Sequence, residues 1–210
     1  MILYDYYRST ASYRVRMALH LKGQPFQTVA VNLKEGEQQS ASHLKVNPQG
    51  LVPALDIDGE VYTQSLAIIE YLDETCIGAP LMPKDEEGKA KVRAIAHMIS
   101  SDLHPLNNLR VLNYLENNFQ ITAQQKQDWY SHWVHQTFQA LEDLTPHNAE
   151  FLHGNHLTMA DICLVAQMYN VERFNVNATP YKKLLNIYNK IKNAPEIRRA
   201  HPDRYKPKDL

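Results

Sequence analysis

The sequence predicts an α/β domain followed by an all-α domain, and three observations carry that prediction. Residues 1–82 alternate strand and helix patterns, Gly78, Pro80 and Pro83 punctuate a linker, and residues 83–210 show long helical periodicities without strand patterning. A chain of 210 residues with 44% hydrophobic content can bury one large core or two small ones. The change of pattern at the linker favours two.

In the first part, Ile2 to Tyr6 reads as a strand, Tyr13 to Lys22 as a helix and Phe26 to Asn32 as a second strand. Val52-Pro53 opens the apolar run Ala54-Leu55-Asp56-Ile57, a third strand. Asp58-Gly59 is the residue pair that a two-residue hairpin favours, because both of its positions take positive φ, and Val61-Tyr62-Thr63 follows as the fourth strand. Gln64-Ser65 then starts a helix through Leu72, with Ser65 the expected N-cap. The order β-α-β then β-β-α, with a proline at the mouth of the third strand, is that of a thioredoxin-like layer.

Beyond Lys84 helices are expected over Lys89 to Ser101, Leu106 to Asn117, Ala123 to Leu144, Ala160 to Phe174 and Tyr181 to Asn193. Thr158-Met159-Ala160-Asp161 resembles a capping box, with Thr158 accepting from the first turn and Asp161 reaching back. It is read as a folding signal for a buried helix carrying Ile162, Cys163, Val165 and Ala166. The segment after Pro202 reads as a loosely held terminus.

Composition excludes several classes of function. Lys plus Arg number 22 and Asp plus Glu 23, so the net charge of −1 leaves no footprint for nucleic acid or an anionic membrane. No apolar run approaches the ~20 residues of a membrane span, and the N-terminus starts as a strand without a signal-peptide pattern, so a cytoplasmic protein is expected. Cys76 and Cys163 stand far apart without a CxxC or zinc-ligand spacing and are expected to be reduced, buried thiols. Among ten histidines, His132/His135 and His153/His156 come nearest to ligand spacing, but no carboxylate partners them, and no metal site is expected.

In a thioredoxin-like layer the loop after the first strand is the reactive position, and here it reads Arg8-Ser9-Thr10-Ala11-Ser12. It holds no cysteine, which excludes thiol–disulfide exchange of the CxxC or CxxS kind. A hydroxyl beside a helix N-terminus can instead donate to an external thiolate, whose pKa the helix dipole lowers. Alone, Ser9, Thr10 and Ser12 are equally a turn and a cap. Pro53 removes a ladder donor and frees Val52 to pair with an extended peptide backbone, while a helix start at Ser65 suits a carboxylate. That segment alone is also an ordinary hairpin packed on a helix. Together the two halves describe a pocket for a small peptide with a thiol and a carboxylate, the chemistry of glutathione.

On these motifs the chain resembles the zeta class of glutathione transferases, the maleylacetoacetate isomerase family, which is close to bacterial maleylpyruvate isomerase. The class fingerprint Ser-Ser-Cys-Ser-aromatic-Arg-Val-Arg corresponds to Ser9-Thr10-Ala11-Ser12-Tyr13-Arg14-Val15-Arg16. Asn47-Pro48, the run Gln64 to Leu72, Thr158 to Asp161, Glu172-Arg173-Phe174 and Thr179-Pro180-Tyr181 match further family segments in order. The resemblance implies the glutathione transferase fold, with glutathione as cofactor and Ser9, Thr10 and Ser12 as the catalytic hydroxyls. It implies that Ser9, Thr10, Gln39, Val52, Pro53, Gln64, Ser65 and Asn108 hold glutathione. One departure is Ala11, which replaces the family's loop cysteine.

The implied reaction is cis–trans isomerisation of a maleyl dicarboxylate: a thiolate adds reversibly to the double bond, the single bond rotates, and elimination gives the trans isomer. Substrate carboxylates and developing negative charge call for cations, which points to Arg8, Arg110 and Arg173, with His104 a further candidate contact. Arg14 and Arg16 are read as structural ion-pair or surface residues. The stretch His104 to Arg110 looks closer to the maleylpyruvate enzymes. Maleylpyruvate isomerase, a conjugating transferase for electrophiles such as haloacids, and a noncatalytic binding protein of the same fold stay open as alternatives. A homodimer is implied as well.

Overall fold

The computed structural model describes residues 1–207. These fall into two units, Met1–Met82 together with the segment from Lys192 onward, and Pro83–Ile191. The terminal segment, which sequence placed with the helical domain, thus belongs to the first unit.

The first unit is built on β1 (Ile2–Asp5), α1 (Thr10–Leu21), β2 (Gln27–Ala30), α2 (Ala41–Val46), β3 (Ala54–Ile57), β4 (Glu60–Thr63) and α3 (Ser65–Thr75). The sheet order is β2-β1-β3-β4. β1 runs parallel to β2 and antiparallel to β3, and β3 antiparallel to β4. Asp58 (φ 54°) and Gly59 (φ 94°) make the hairpin turn, and the Gly59 N–H donates to Asp56 Oδ1 at 2.9 Å. Leu3 and Leu55 from the sheet, Val15, Met17 and Leu19 from α1 and Ile68, Ile69 and Leu72 from α3 are fully buried. This is the core on which the reactive loop rests.

Four local expectations are corrected. α1 starts at Thr10, three residues before the expected Tyr13, because Ser9 caps it. The expected cap at Ser65 moves to Gln64, which takes φ 65° and makes no side-chain cap bond; Ser65 is the first helical residue. Leu106 does not start the next helix, because buried Asn107 donates to the Tyr130 carbonyl at 3.1 Å and Asn108 becomes the cap. Finally, the segment after Pro202 is held at Tyr205, whose ring stacks on Phe26 with centroids 6.3 Å apart and whose hydroxyl lies 2.8 Å from His20 Nε2, while residues 208–210 lie outside the described residues.

The second unit contains α4 (Glu86–His97), a π-helical stretch (Met98–Leu103), α5 (His104–Leu106), α6 (Leu109–Phe119), α7 (Ala123–Leu144), α8 (Met159–Arg173) and α9 (Lys182–Ile191). The widened turns end just before Pro105, which has no N–H to close an α-helical bond onto the preceding turn. α8 is its core helix, with Ile162, Cys163, Leu164 and Ala166 fully buried. Asp161 reaches back to the Thr158 N–H and also accepts from the Leu152 N–H, both at 2.8 Å. Burial pushes the Asp161 carboxyl up to about 6 against these bonds. In the first unit, α10 (Pro195–Ala200) packs on α1.

Candidate active site

The register brings three candidate segments to one edge of the sheet. Tyr4 pairs with Ala54, and Ala54 with Thr63. The loop after β1, the Val52-Pro53 entry to β3 and the β4-to-α3 junction therefore share that edge.

At the first segment, Ser9 sits at the N-cap of α1 with φ −70° and ψ 118°. Its N–H donates to the Tyr6 carbonyl at 2.8 Å, and its Oγ accepts from the Ser12 N–H at 3.2 Å. A cap that accepts keeps its own O–H available, so Ser9 presents a donor at the positive end of a helix dipole. Ser9 is half-buried, whereas Thr10 and Ser12 are buried. The Ser12 hydroxyl has no hydrogen-bond partner among the described residues, so its backbone and not its side chain serves Ser9. The Arg8 guanidinium lies 5.0 Å from the Tyr7 ring centroid.

At the second segment the Val52-Pro53 peptide is cis. Two buried side chains outside the expected set of site residues fix its approach: Asn47 Nδ2 donates to the Leu51 carbonyl at 2.8 Å, and His43 Nε2 lies 3.0 Å from the same oxygen. Asn47-Pro48 carried a family signal; nothing in the local pattern around His43 did. The Val52 N–H and C=O take no backbone partner among the described residues, which suits pairing with an extended peptide. Gln39 is exposed at the end of a short turn, and its Nε2 donates to the Gly50 carbonyl at 3.4 Å. Gly50 takes φ 61°, a left-handed conformation that favours glycine.

At the third segment, exposed Gln64 donates from Nε2 to Gln49 Oε1 at 2.8 Å, and buried Ser65 accepts from Arg14 Nε at 3.0 Å. Arg14 and Arg16, read as ion-pair or surface residues, are both buried. Arg16 meets Asp5 and the Tyr7 and Ala200 carbonyls.

The remaining candidates belong to the second unit. His104 opens α5 and is half-buried. Asn108 caps α6, its Oδ1 accepting from the Arg110 N–H at 3.1 Å, and the Arg110 side chain is exposed. Arg173 ends α8, exposed, with its guanidinium 4.7 Å from the Phe174 ring centroid.

Comparison with known proteins adds to this geometry. Residues 8–75 match the family described as glutathione S-transferase, N-terminal domain, and residues 106–199 match glutathione S-transferase, C-terminal domain. The chain is 43% identical to a probable maleylacetoacetate isomerase of Vibrio cholerae, across 97% of this chain and 96% of that one. It is similar to the solved holo structure of a maleylpyruvate isomerase, a bacterial zeta-class glutathione S-transferase, at TM-score 0.95 and 37% identity, covering 99% of both chains. A maleylacetoacetate isomerase from Methylobacterium extorquens AM1, solved with malonate and glutathione bound, matches at TM-score 0.94 and 33% identity, covering 99% of this chain and 98% of that one.

Proposed function

Because the chain belongs to the glutathione S-transferase family and, within it, to the zeta class, we propose that it is a glutathione-dependent isomerase converting maleylacetoacetate to fumarylacetoacetate. The observation that carries this reading is the Ser9 cap: its oxygen is occupied by the Ser12 N–H, and its O–H is left to donate. The residues present fit glutathione, since the same sheet edge offers that hydroxyl, the Val52 N–H and C=O and the start of α3.

Glutathione supplies a thiolate whose reversible addition to the cis double bond permits rotation. Ser9 donates to the sulfur and, with the N-terminus of α1, favours its ionised form. Thr10 supports the same helix start. Val52 would pair with the peptide backbone beside Pro53, Gln39 would meet the far end of the peptide, Gln64 and Ser65 would meet its γ-glutamyl end, and Asn108 is assigned to glutathione as well. Arg8, His104, Arg110 and Arg173 are assigned to the substrate carboxylates, where a guanidinium fork matches a carboxylate's two oxygens. The Ser12 side chain is dropped from the catalytic set. The expected assembly is a homodimer in a reducing cytoplasm, and neither Cys76 nor Cys163 forms a disulfide. Sedimentation then gives twice 24.2 kDa.

Maleylpyruvate is the second reading, supported by the 37% identity across 99% of both chains to a maleylpyruvate isomerase and by the stretch His104 to Arg110. Comparing kcat/KM for the two substrates at saturating glutathione tests both. A higher value for maleylacetoacetate supports the first, a higher value for maleylpyruvate the second, and background rates for both contradict the isomerase.

A further inference from the structure

We propose that Arg14 is a positioning residue that sets Ser65 as a hydrogen-bond donor to the α-carboxylate of the γ-glutamyl group of glutathione. The inference rests on the glutathione reading above and assigns a role to a residue outside the expected binding set.

A serine hydroxyl has one donor and two acceptor positions, whereas an arginine Nε can only donate. At 3.0 Å the direction of the Arg14–Ser65 bond is therefore fixed, and the Ser65 oxygen accepts. The usual fate of a serine at a helix start is to cap it by accepting a first-turn N–H. Here that position belongs to Gln64, which makes no cap bond, and Ser65 is the first residue of the helix. What the junction offers is a set of donors, the Ser65 O–H and the first-turn N–H groups of α3. Such a set selects an anion. A hydroxyl that accepts from a guanidinium is also polarised, which strengthens its own donation to a carboxylate.

Arg14 and Ser65 are 3% and 6% exposed, so the pair is held by packing between α1 and α3. The bond spans 51 positions of sequence. The helix whose N-cap is Ser9 thus also fixes Ser65, and α1 sets both the thiol end and the γ-glutamyl end of one peptide site. Lysine in place of Arg14 keeps the charge but brings a flexible stem and no fixed Nε.

The test is calorimetric binding of two ligands, glutathione and γ-aminobutyryl-cysteinylglycine, which lacks the α-carboxylate. The proteins are the parent chain, Arg14→Met, Arg14→Lys, Ser65→Ala and the Arg14→Met/Ser65→Ala double variant. Arg14→Met and Ser65→Ala should each weaken glutathione roughly tenfold, and the double variant should be within about twofold of Ser65→Ala. Arg14→Lys should fall between, and the analogue should change less than about twofold throughout. In turnover, Arg14→Lys should raise the KM for glutathione and leave kcat near the parent value. Equal weakening of both ligands, or losses that multiply in the double variant, would overturn the assignment. Should Arg14→Met fail to fold, Arg14→Lys carries the same comparison. A parent chain that binds neither ligand contradicts the glutathione reading itself, separately from the Arg14 role.

Discussion

Arg16 and Asp5 form a buried ion pair in which one guanidinium nitrogen, Nη1, lies 2.7 Å from both carboxylate oxygens, at 0% and 4% side-chain exposure. Arg16 Nε donates to the Ala200 carbonyl and its Nη2 to the Tyr7 carbonyl, each at 3.0 Å. One side chain thus ties β1, α1, the start of the reactive loop and the terminal segment together. Removing one member of such a pair strands a buried charge, so Arg16→Leu should cost about 3–5 kcal/mol. Replacing both partners by apolar residues should cost less than the sum of the single changes. Urea denaturation measures both, and a single-variant cost under about 1 kcal/mol would show that the pair anchors nothing.

Docking of the terminal segment should weaken in acid. Burial first, and then the charges of Arg199 and Arg16, hold the His20 imidazole below its ordinary 6.5. Between the lowered folded pKa and 6.5 the unfolded chain carries the extra proton, so His20's contribution is fully present above 6.5 and is lost as pH falls through the folded value. Thermal unfolding from pH 7.5 to 5 should show that loss in the parent and a smaller one in His20→Gln. Identical profiles would remove His20 from the account.

Gln64 holds φ at 65° without a cap bond, a conformation that costs a non-glycine residue of order 1 kcal/mol or more. Gln64→Gly should therefore raise the denaturation midpoint while weakening glutathione roughly tenfold through loss of the side-chain amide. A variant that gains stability and keeps full affinity would exclude Gln64 from the site.

Ser9 and Ser12 should separate cleanly. Ser9→Ala removes the donor at the α1 N-terminus and should lower kcat about a hundredfold. Ser12→Ala deletes a buried hydroxyl with no partner among the described residues, so activity should stay within about twofold and stability should hold or rise. Steady-state rates decide between them, and comparable losses at both positions would return the Ser12 side chain to the catalytic set.

The parts of the fold that local chemistry specifies were legible in the sequence. The Asp58-Gly59 turn needs positive φ, and the bounds of α7 are those of its 22-residue helical pattern, closed by a Thr122/Gln125 capping box. What escaped depends on distant partners. Arg16 meets Ala200 across 184 positions, so neither its burial nor the docking of α10 and Tyr205 has a local signature. Gln64 lies inside a motif whose serine looked like the cap, and only the positive φ moves the cap by one residue. Of the site, Ser9, Val52 and Ser65 were read from residue chemistry and resemblance, while the supports His43, Arg14 and Gly50 act through geometry alone.

The most direct test of the isomerase reading follows maleylacetoacetate absorbance and free thiol together, with and without glutathione. The account predicts substrate loss that depends on glutathione while the thiol concentration stays constant over many turnovers, because the thiol is released in each cycle. Thiol consumed one for one with substrate would make the protein a conjugating transferase, and substrate loss independent of glutathione would contradict the site assigned to Ser9, Val52 and Ser65.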